Sequence, residues 1–247
     1  MVEDQSYLLK TLHIQHNSSL IDYHVCVHAI LPIKAHSERV PGKNFKLLGG
    51  KPLYTWIIEA LLEIPTISGI TIDTDSNDAG LWKLGRNSKI NIKQRREELI
   101  GDFVSMNEII WDFVKSSDED SFLMTHVTNP FLSKYTIETA IKEFYSKKNQ
   151  GYDSLFSVSP IQGRLFNSIA EPINHNPRIL MRTQDLEPIY LENSCLYIFD
   201  KESFAVKQAR IGVKPILFTT PLIDSIDIDT QEEWNLAEHI AKGFLYN

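Results

Sequence analysis

Asp227 and Asp229 lie two positions apart in the stretch 224–230, DSIDIDT. In extended chain, residues i and i+2 point to the same side, so the two carboxylates face one way. Paired hard oxygens suit Mg²⁺, which takes one or two carboxylates and completes its shell with triphosphate oxygens. The same run also reads as an acidic helix N-terminus, with Asp229 or Thr230 as its cap. A second stretch, 31–44, LPIKAHSERVPGKN, carries Lys34, Arg39 and Lys43 together with Ser37 and Gly42. The cations bring charge, serine and backbone N–H groups bring donors, and glycine lets a ligand approach the backbone. Such a loop can wrap a triphosphate. It lacks the GxxxxGK[ST] pattern of a P-loop. By composition it also reads as a solvated basic loop.

These loops need a scaffold. Residues 25–33, VCVHAILPI, form a continuous apolar run with β-branched members, as in a strand buried on both faces of a parallel sheet. After Gly49 and Gly50, Pro52 suits the first turn of a helix. Leu53, Trp56, Ile57, Ala60 and Leu61 follow at helical spacing until Pro65. A strand over 69–73 completes a βαβ unit. Helices are expected over 103–115, with Phe103 and Phe113 inward, over 137–147, and over 231–245, with Trp234, Ala237, Ala241 and Phe244 inward. Further strands are expected at 122–125, 154–158, 195–199 and 215–219. The start of 74–100 and all of 160–187 stay irregular, as binding loops often do. The expectation is a doubly wound, Rossmann-like α/β domain with a mostly parallel sheet over 25–247. An inserted loop or hairpin falls near 160–192, and residues 1–24 are a polar N-terminal extension.

The chain has 247 residues, with 25 Lys+Arg against 32 Asp+Glu and a net charge of −7. That balance argues against a general nucleic-acid binder, which needs a basic face. A local basic pocket for a small anion remains compatible with it. No apolar run approaches the length of a membrane span. Cys26 and Cys195 lack metal or CxxC spacing and are expected as buried free thiols in a reducing compartment. With no signal-peptide pattern in 1–20, the chain reads as cytoplasmic.

The pattern LPxKxxSxxxPGKN over 31–44, followed by GKPL at 50–53, resembles the opening signature of the cytidylyltransferases that activate acidic sugars. These act on acylneuraminates (sialic acids) or on 3-deoxy-manno-octulosonate. The stretch 95–102, RREELIGD, is similar to the family's RPxxLxxD segment, which implies a nucleotide contact for Arg95. Asp75 falls at the family's turn after the second strand and reads as a turn former or helix cap. The stretch 125–132, THVTNPFL, stands where the sialic acid branch carries QPTSPL. It implies a nucleotide contact for Thr128. His126, in place of the glutamine, can hydrogen-bond a ligand, titrate near neutrality, or simply pack at a strand end. The octulosonate branch has an Asp-containing loop here that this sequence lacks. DSIDIDT with Ala237 and Glu238 resembles the DxxDIDT…AE signature of acylneuraminate cytidylyltransferases. Asn193 and Tyr197 match the sugar-facing residues of its NGxxY segment. Arg182 is the nearest match to the Arg that grips the sugar carboxylate, and Arg164 is a further anion contact.

The resemblance spans about 27–241. It implies transfer of CMP from CTP to the anomeric hydroxyl of an acidic 2-keto sugar, with Mg²⁺ on Asp227 and Asp229. Lys34, Ser37, Arg39 and Lys43 would hold the triphosphate, with Lys34 and Lys43 as catalytic cations beside the two aspartates. It further implies a homodimer and a place in surface-polysaccharide synthesis, with neither nucleic acid nor membrane as partner. Lys34 stands where the family has Arg, Glu38 where the sialic acid branch has Lys, and Ser194 where it has Gly. These departures keep two other readings open: a different acceptor such as octulosonate, and a nucleotide-binding module without catalysis.

Overall fold

The computed structural model describes residues 26–245. The N-terminal extension expected at 1–24 lies outside them. Nine strands and six helices alternate along the described chain. The first strand, β1 (Val27–Ile33), is buried on both faces, apart from His28. Its alternate residues enter different cores. Ala29, Leu31 and Ile33 pack with α1 (Leu53–Leu62) and α4 (Lys134–Lys148). Ile30 packs with α3 (Met106–Val114) and α5 (Lys201–Lys207). That is the period-two alternation of a strand covered by helices above and below.

The other strands of this sheet are β4 (Ile67–Thr74), β5 (Ile90–Gln94), β6 (Ser121–Thr125), β7 (Ser154–Ile161), β8 (Ile189–Asp200) and β9 (Pro215–Thr219). Their order is β5-β4-β1-β6-β8-β7-β9. β5, β4, β1 and β6 are parallel, β8 is antiparallel to both β6 and β7, and β9 is parallel to β7. The carboxyl ends of all but β8, and the amino end of β8, therefore share one sheet edge. The chain leaves β1 toward β4 on one side and returns to β6 on the other. The strand order thus reverses between β1 and β6, where open α/β sheets bind ligands.

A third core supports that edge. Leu48 and Leu53, from the small hairpin β2 (Leu47–Leu48) and β3 (Lys51–Pro52) and the start of α1, pack on Ile228, Trp234 and Ala237. Trp234 and Ala237 belong to α6 (Gln231–Leu245). No helix among the described residues is long and apolar enough to cross a membrane.

Several expectations need correction. Cys26 is exposed because the strand begins one residue later, whereas Cys195 is buried. Phe103 is exposed and precedes α3, which starts after the cap Ser105. Ser105 and Glu108 form a reciprocal capping box there, and it ends the preceding loop. Phe244 is half-exposed, although its ring meets Phe131. The hairpin β2–β3, the edge strand β5, the short α2 (Ala79–Lys83) and α5 had no apolar period to announce them. β8 begins six residues earlier than its apolar stretch, because Ile189–Glu192 pairs with the end of β7. Between these two strands the chain is mostly irregular, with one bridge from Phe166 to Pro172 and a single 3₁₀ turn at Thr183–Asp185.

Candidate active site

The loop after β1 is fixed before it can hold anything. Asn44 donates its side-chain N–H to the Lys34 carbonyl at 2.8 Å, and the Ala35 N–H donates to Asp75 Oδ1 at 2.7 Å. Asp75 is therefore a structural acceptor at the turn. Gly42 has φ 65°, the left-handed region that glycine enters without cost, and it opens the 3₁₀ turn Lys43–Phe45. That turn sends Lys43 inward, where it is only 7 % exposed.

Lys43 Nζ donates to Asp229 Oδ1 at 2.9 Å and to the Ile228 carbonyl. Arg39 donates to Asp229 Oδ2 at 2.8 Å. Partial burial alone raises the Asp229 carboxyl; the Lys43 and Arg39 cations outweigh it and hold the group below its usual range. Asp227 behaves in the opposite way. Burial pushes its carboxyl up, the Thr128 hydroxyl opposes this, and the Asp229 charge adds to it. Asp227 Oδ1 is buried without any hydrogen-bond partner.

The segment that carries both aspartates is stitched down. The Ile228 N–H donates to the Thr128 carbonyl at 2.9 Å, and the Asn129 side chain donates to the Ile226 carbonyl at 3.2 Å. Thr230 and Glu233 then cap α6 reciprocally. Thr230 Oγ1 accepts from the Glu233 N–H at 3.2 Å, and Glu233 Oε2 accepts from the N–H groups of Asp229 and Thr230, both at 2.7 Å. Thr230 thus does the capping, and the Asp229 carboxylate stays free for the cations. Asp224 is committed elsewhere: it accepts from the N–H and hydroxyl of Ser133, the N-cap of α4, at 3.0 and 2.7 Å.

A cleft of about 360 Å³ opens between the loops after β1 and β6. Lys34, Ser37, Arg39 and Lys43 line one wall, and His126 and Thr128 line the other. Lys34 reaches across to the Gly101 carbonyl at 3.3 Å and to Asp102 at 3.6 Å. His126 does not titrate near neutrality. Burial first, then the Arg210 charge, push it down to about 4; Asp229 pulls it back up and Lys43 adds the weakest push down. Its ring is a neutral donor or acceptor at physiological pH.

Five expected ligand contacts do not line the cleft. Arg95 is 2 % exposed, and its guanidinium is bound to the Asp73 carboxylate at 2.6 Å and to the Asp73 carbonyl at 2.9 Å. Its position just past β5 turns it toward β4 and away from the cleft. Arg182 is an exposed loop residue in a two-point pair with Asp185 at 2.7 and 2.9 Å. The Asn193 side chain donates to Ser159 at 2.9 Å and to Thr220 at 2.7 Å, tying β8 to β7 and the end of β9. Tyr197 is fully buried; its hydroxyl donates to Glu192 and also meets the Ser194 hydroxyl at 3.1 Å. Burial pushes that phenol up to about 12. Arg164 donates to the Met181 carbonyl, within the irregular segment.

Sequence reasoning missed Asn44 as the clamp of its loop, Asp102 as the counter-charge of Lys34, and Arg210. Asn44 and Asp102 stood inside motifs already singled out. Arg210 stood in none; it follows α5 in a short bend without periodicity.

A cleft of about 360 Å³ at the switch point of a mostly parallel sheet, cationic on one wall, with the Asp229 carboxylate bonded to two of those cations, defines a nucleotidyltransferase-type α/β fold. A family profile described as Cytidylyltransferase matches residues 28–242, and the chain belongs to that family. It is 28 % identical over 228 residues to N-acylneuraminate cytidylyltransferase A of Danio rerio, across 89 % of this chain and 52 % of that protein. It is 30 % identical over 229 residues to CMP-N,N'-diacetyllegionaminic acid synthase of Legionella pneumophila, across 87 % of this chain and 95 % of that protein. The chain spans about half the length of the N-acylneuraminate cytidylyltransferases it matches. Among solved structures, a CMP:2-keto-3-deoxy-manno-octonic acid synthetase complexed with CTP aligns with TM-score 0.61 at 12 % identity, covering 89 % of this chain and 99 % of that one. A 4-diphosphocytidyl-2C-methyl-D-erythritol synthase from Anaerococcus prevotii aligns with TM-score 0.62 at 12 % identity, covering 88 % and 96 %. At that identity the two structures establish the fold.

Proposed function

We propose that the chain transfers CMP from CTP to the anomeric hydroxyl of an acidic 2-keto sugar of the sialic or legionaminic acid type and releases pyrophosphate. The observation that carries this reading is Asp229 held between Arg39 and Lys43, beside the unpartnered oxygen of Asp227. The relative matched over nearly its whole length supports the acceptor class.

Lys34, Ser37, Arg39 and Lys43 bind the triphosphate along one wall of the cleft. Thr128 and His126 contact the nucleotide and the sugar from the other. The anomeric oxygen attacks the α-phosphorus, and a new P–O bond forms as the bond to the β-phosphate oxygen breaks. The hydroxyl proton passes to water, and pyrophosphate carries away the negative charge. The chain supplies orientation and fixed positive charge where charge develops.

Asp227 and Asp229 also fit Mg²⁺. Their donor set is hard oxygen, one buried oxygen lacks a partner, and Mg²⁺ binds through one or two carboxylates plus phosphates. Among the described residues no cluster of three or more His, Cys, Asp or Glu forms a closed metal cage. When bound, the cation supplies neutralisation of phosphate charge.

The segment between β7 and β8 leaves Ile169, Ile173, Ile179 and Leu180 exposed. An apolar surface of this kind suits burial against a second copy of the chain, and we read the protein as a homodimer. A cytoplasmic location, where CTP is available, and a role in surface-polysaccharide synthesis complete the reading.

The deciding experiment is a pyrophosphate-release assay with CTP and Mg²⁺ over N-acetylneuraminate, N,N'-diacetyllegionaminate and 3-deoxy-manno-octulosonate. Turnover with either nine-carbon acid is the expected result. Turnover with octulosonate alone, or with none, overturns the reading.

A further inference from the structure

We propose that His126 is the base that takes the proton of the acceptor hydroxyl as CMP is transferred. The inference rests on the cytidylyltransferase reading and deepens it: the proton bound for water has a first stop within the chain. His126 is the first residue past the carboxyl end of β6. The backbone is pinned on both sides of it. Thr125 donates its hydroxyl to the Cys195 carbonyl at 2.7 Å, and the Asn129 N–H donates to the His126 carbonyl at 3.3 Å. The ring itself is half-buried and lines the cleft.

The ring is not spent on the fold. His28 bonds the Thr71 hydroxyl at 2.8 Å, and His239 bonds the Asn235 carbonyl at 2.7 Å. Among the described residues, neither ring nitrogen of His126 has a hydrogen-bond partner. A neutral imidazole carries one N–H donor and one acceptor nitrogen. The acceptor nitrogen of His126 is therefore open to a proton from a molecule in the cleft.

Its place sets its role. Lys34, Ser37, Arg39 and Lys43 line the wall that takes the triphosphate, and His126 lines the wall that faces it. In phosphoryl transfer the attacking and leaving oxygens lie roughly in line, on opposite sides of the phosphorus. With pyrophosphate held on the cationic wall, the acceptor hydroxyl arrives from the side of His126. The new P–O bond forms, the bond to the β-phosphate oxygen breaks, and the hydroxyl proton moves to the ring nitrogen. Pyrophosphate leaves with the negative charge, and the imidazolium gives its proton to water. Base catalysis of this kind contributes roughly 10²- to 10⁴-fold.

The charges around the ring favour a base over an acid. Burial and Arg210 oppose its protonation, Asp229 favours it, and Lys43 opposes it least. Across the cleft stand Lys34, His36, Glu38 and Arg39, on the loop after β1. The ring is thus neutral and ready to accept. A bound triphosphate brings negative charge toward it and raises its affinity for the proton at the step that releases one.

The test is steady-state pyrophosphate release by H126Q and H126A with CTP, Mg²⁺ and whichever of the three acids the wild type uses. Glutamine keeps a hydrogen-bonding side chain and cannot take the proton. In both variants kcat should fall about a hundredfold or more, with the KM for CTP within about twofold of wild type. Added imidazole should raise kcat of H126A about tenfold or more and leave the wild type unchanged. In the wild type, kcat should fall as pH drops and the ring protonates; that limb should be absent from H126Q. Circular dichroism and Tm confirm that the variants compared are folded. Wild-type kcat in H126Q, or no rescue of H126A by imidazole, overturns the assignment and leaves the cytidylyltransferase reading intact. Absence of turnover by the wild type with all three acids overturns that reading, and the assignment to His126 falls with it.

Discussion

Lys43 and Asp229 are 186 residues apart in the chain and meet at 2.9 Å. The contact joins the loop after β1 to the start of α6, the first and last parts of the described fold. Arg39 closes the other side of the same carboxylate. One acidic group therefore organises two of the cations that face the cleft, and the site depends on it in several measurable ways.

Asp229→Asn keeps the shape of the side chain and removes its charge. It should lower kcat/KM for CTP in pyrophosphate release by about a hundredfold or more, because both cation placement and the anionic charge offered to Mg²⁺ are lost. Raising Mg²⁺ should recover part of the loss in Asp227→Asn, where Asp229 still binds, and little of it in the double variant. Wild-type kinetics in Asp229→Asn would sink the site assignment.

His126 gives stability a pH dependence. Its group falls from an ordinary 6.5 to about 4 in the folded chain, with burial as the leading cause. Between those values the unfolded chain binds the extra proton, so stability is lost as pH falls from 6.5 toward 4 and regained as pH rises. The loss approaches roughly 3 kcal/mol at the lower end. Denaturant melts at pH 4.5 and 7 should show a smaller difference in His126→Gln than in the wild type.

Arg95 tests the corrected assignment. Its partner Asp73 is 1 % exposed, and Lys93 reaches the other oxygen at 3.0 Å. Arg95→Ala leaves that buried carboxylate with one cation in place of two and should cost about 3 kcal/mol in urea unfolding. An unchanged midpoint would show that Arg95 is not a structural ion-pair partner.

Thr230→Ala removes one half of the capping box at α6. The expected loss is about 1 kcal/mol, or about 2–4 °C in Tm for a chain of this size. A larger relative loss of activity than of stability would indicate that the cap also fixes the Asp229 backbone, whose N–H shares the Glu233 acceptor.

Much of the fold was legible because buried parallel strands and amphipathic helices leave strong apolar periods. β1, α1, β6, α4, β9 and α6 all stand out in this way, and β9 and α6 keep their expected bounds. The short or edge elements β2, β3, β5, α2 and α5 were not legible. They bury few apolar residues, and partners distant in sequence hold them in place.

The sequence by itself determined the character of the site: a loop rich in cations, a pair of aspartates two apart, and their order along an α/β chain. These are local properties of residue type and spacing. Only the tertiary structure decided which charged groups are already spent. Arg95 has a carboxylate within reach, Asp224 holds the start of α4, and Asp227 keeps an oxygen without a partner. Arg210 has no acceptor close enough to bond. An ion pair forms between groups brought together by sheet order, and its strength depends on burial. Neither quantity is written in the spacing of one segment.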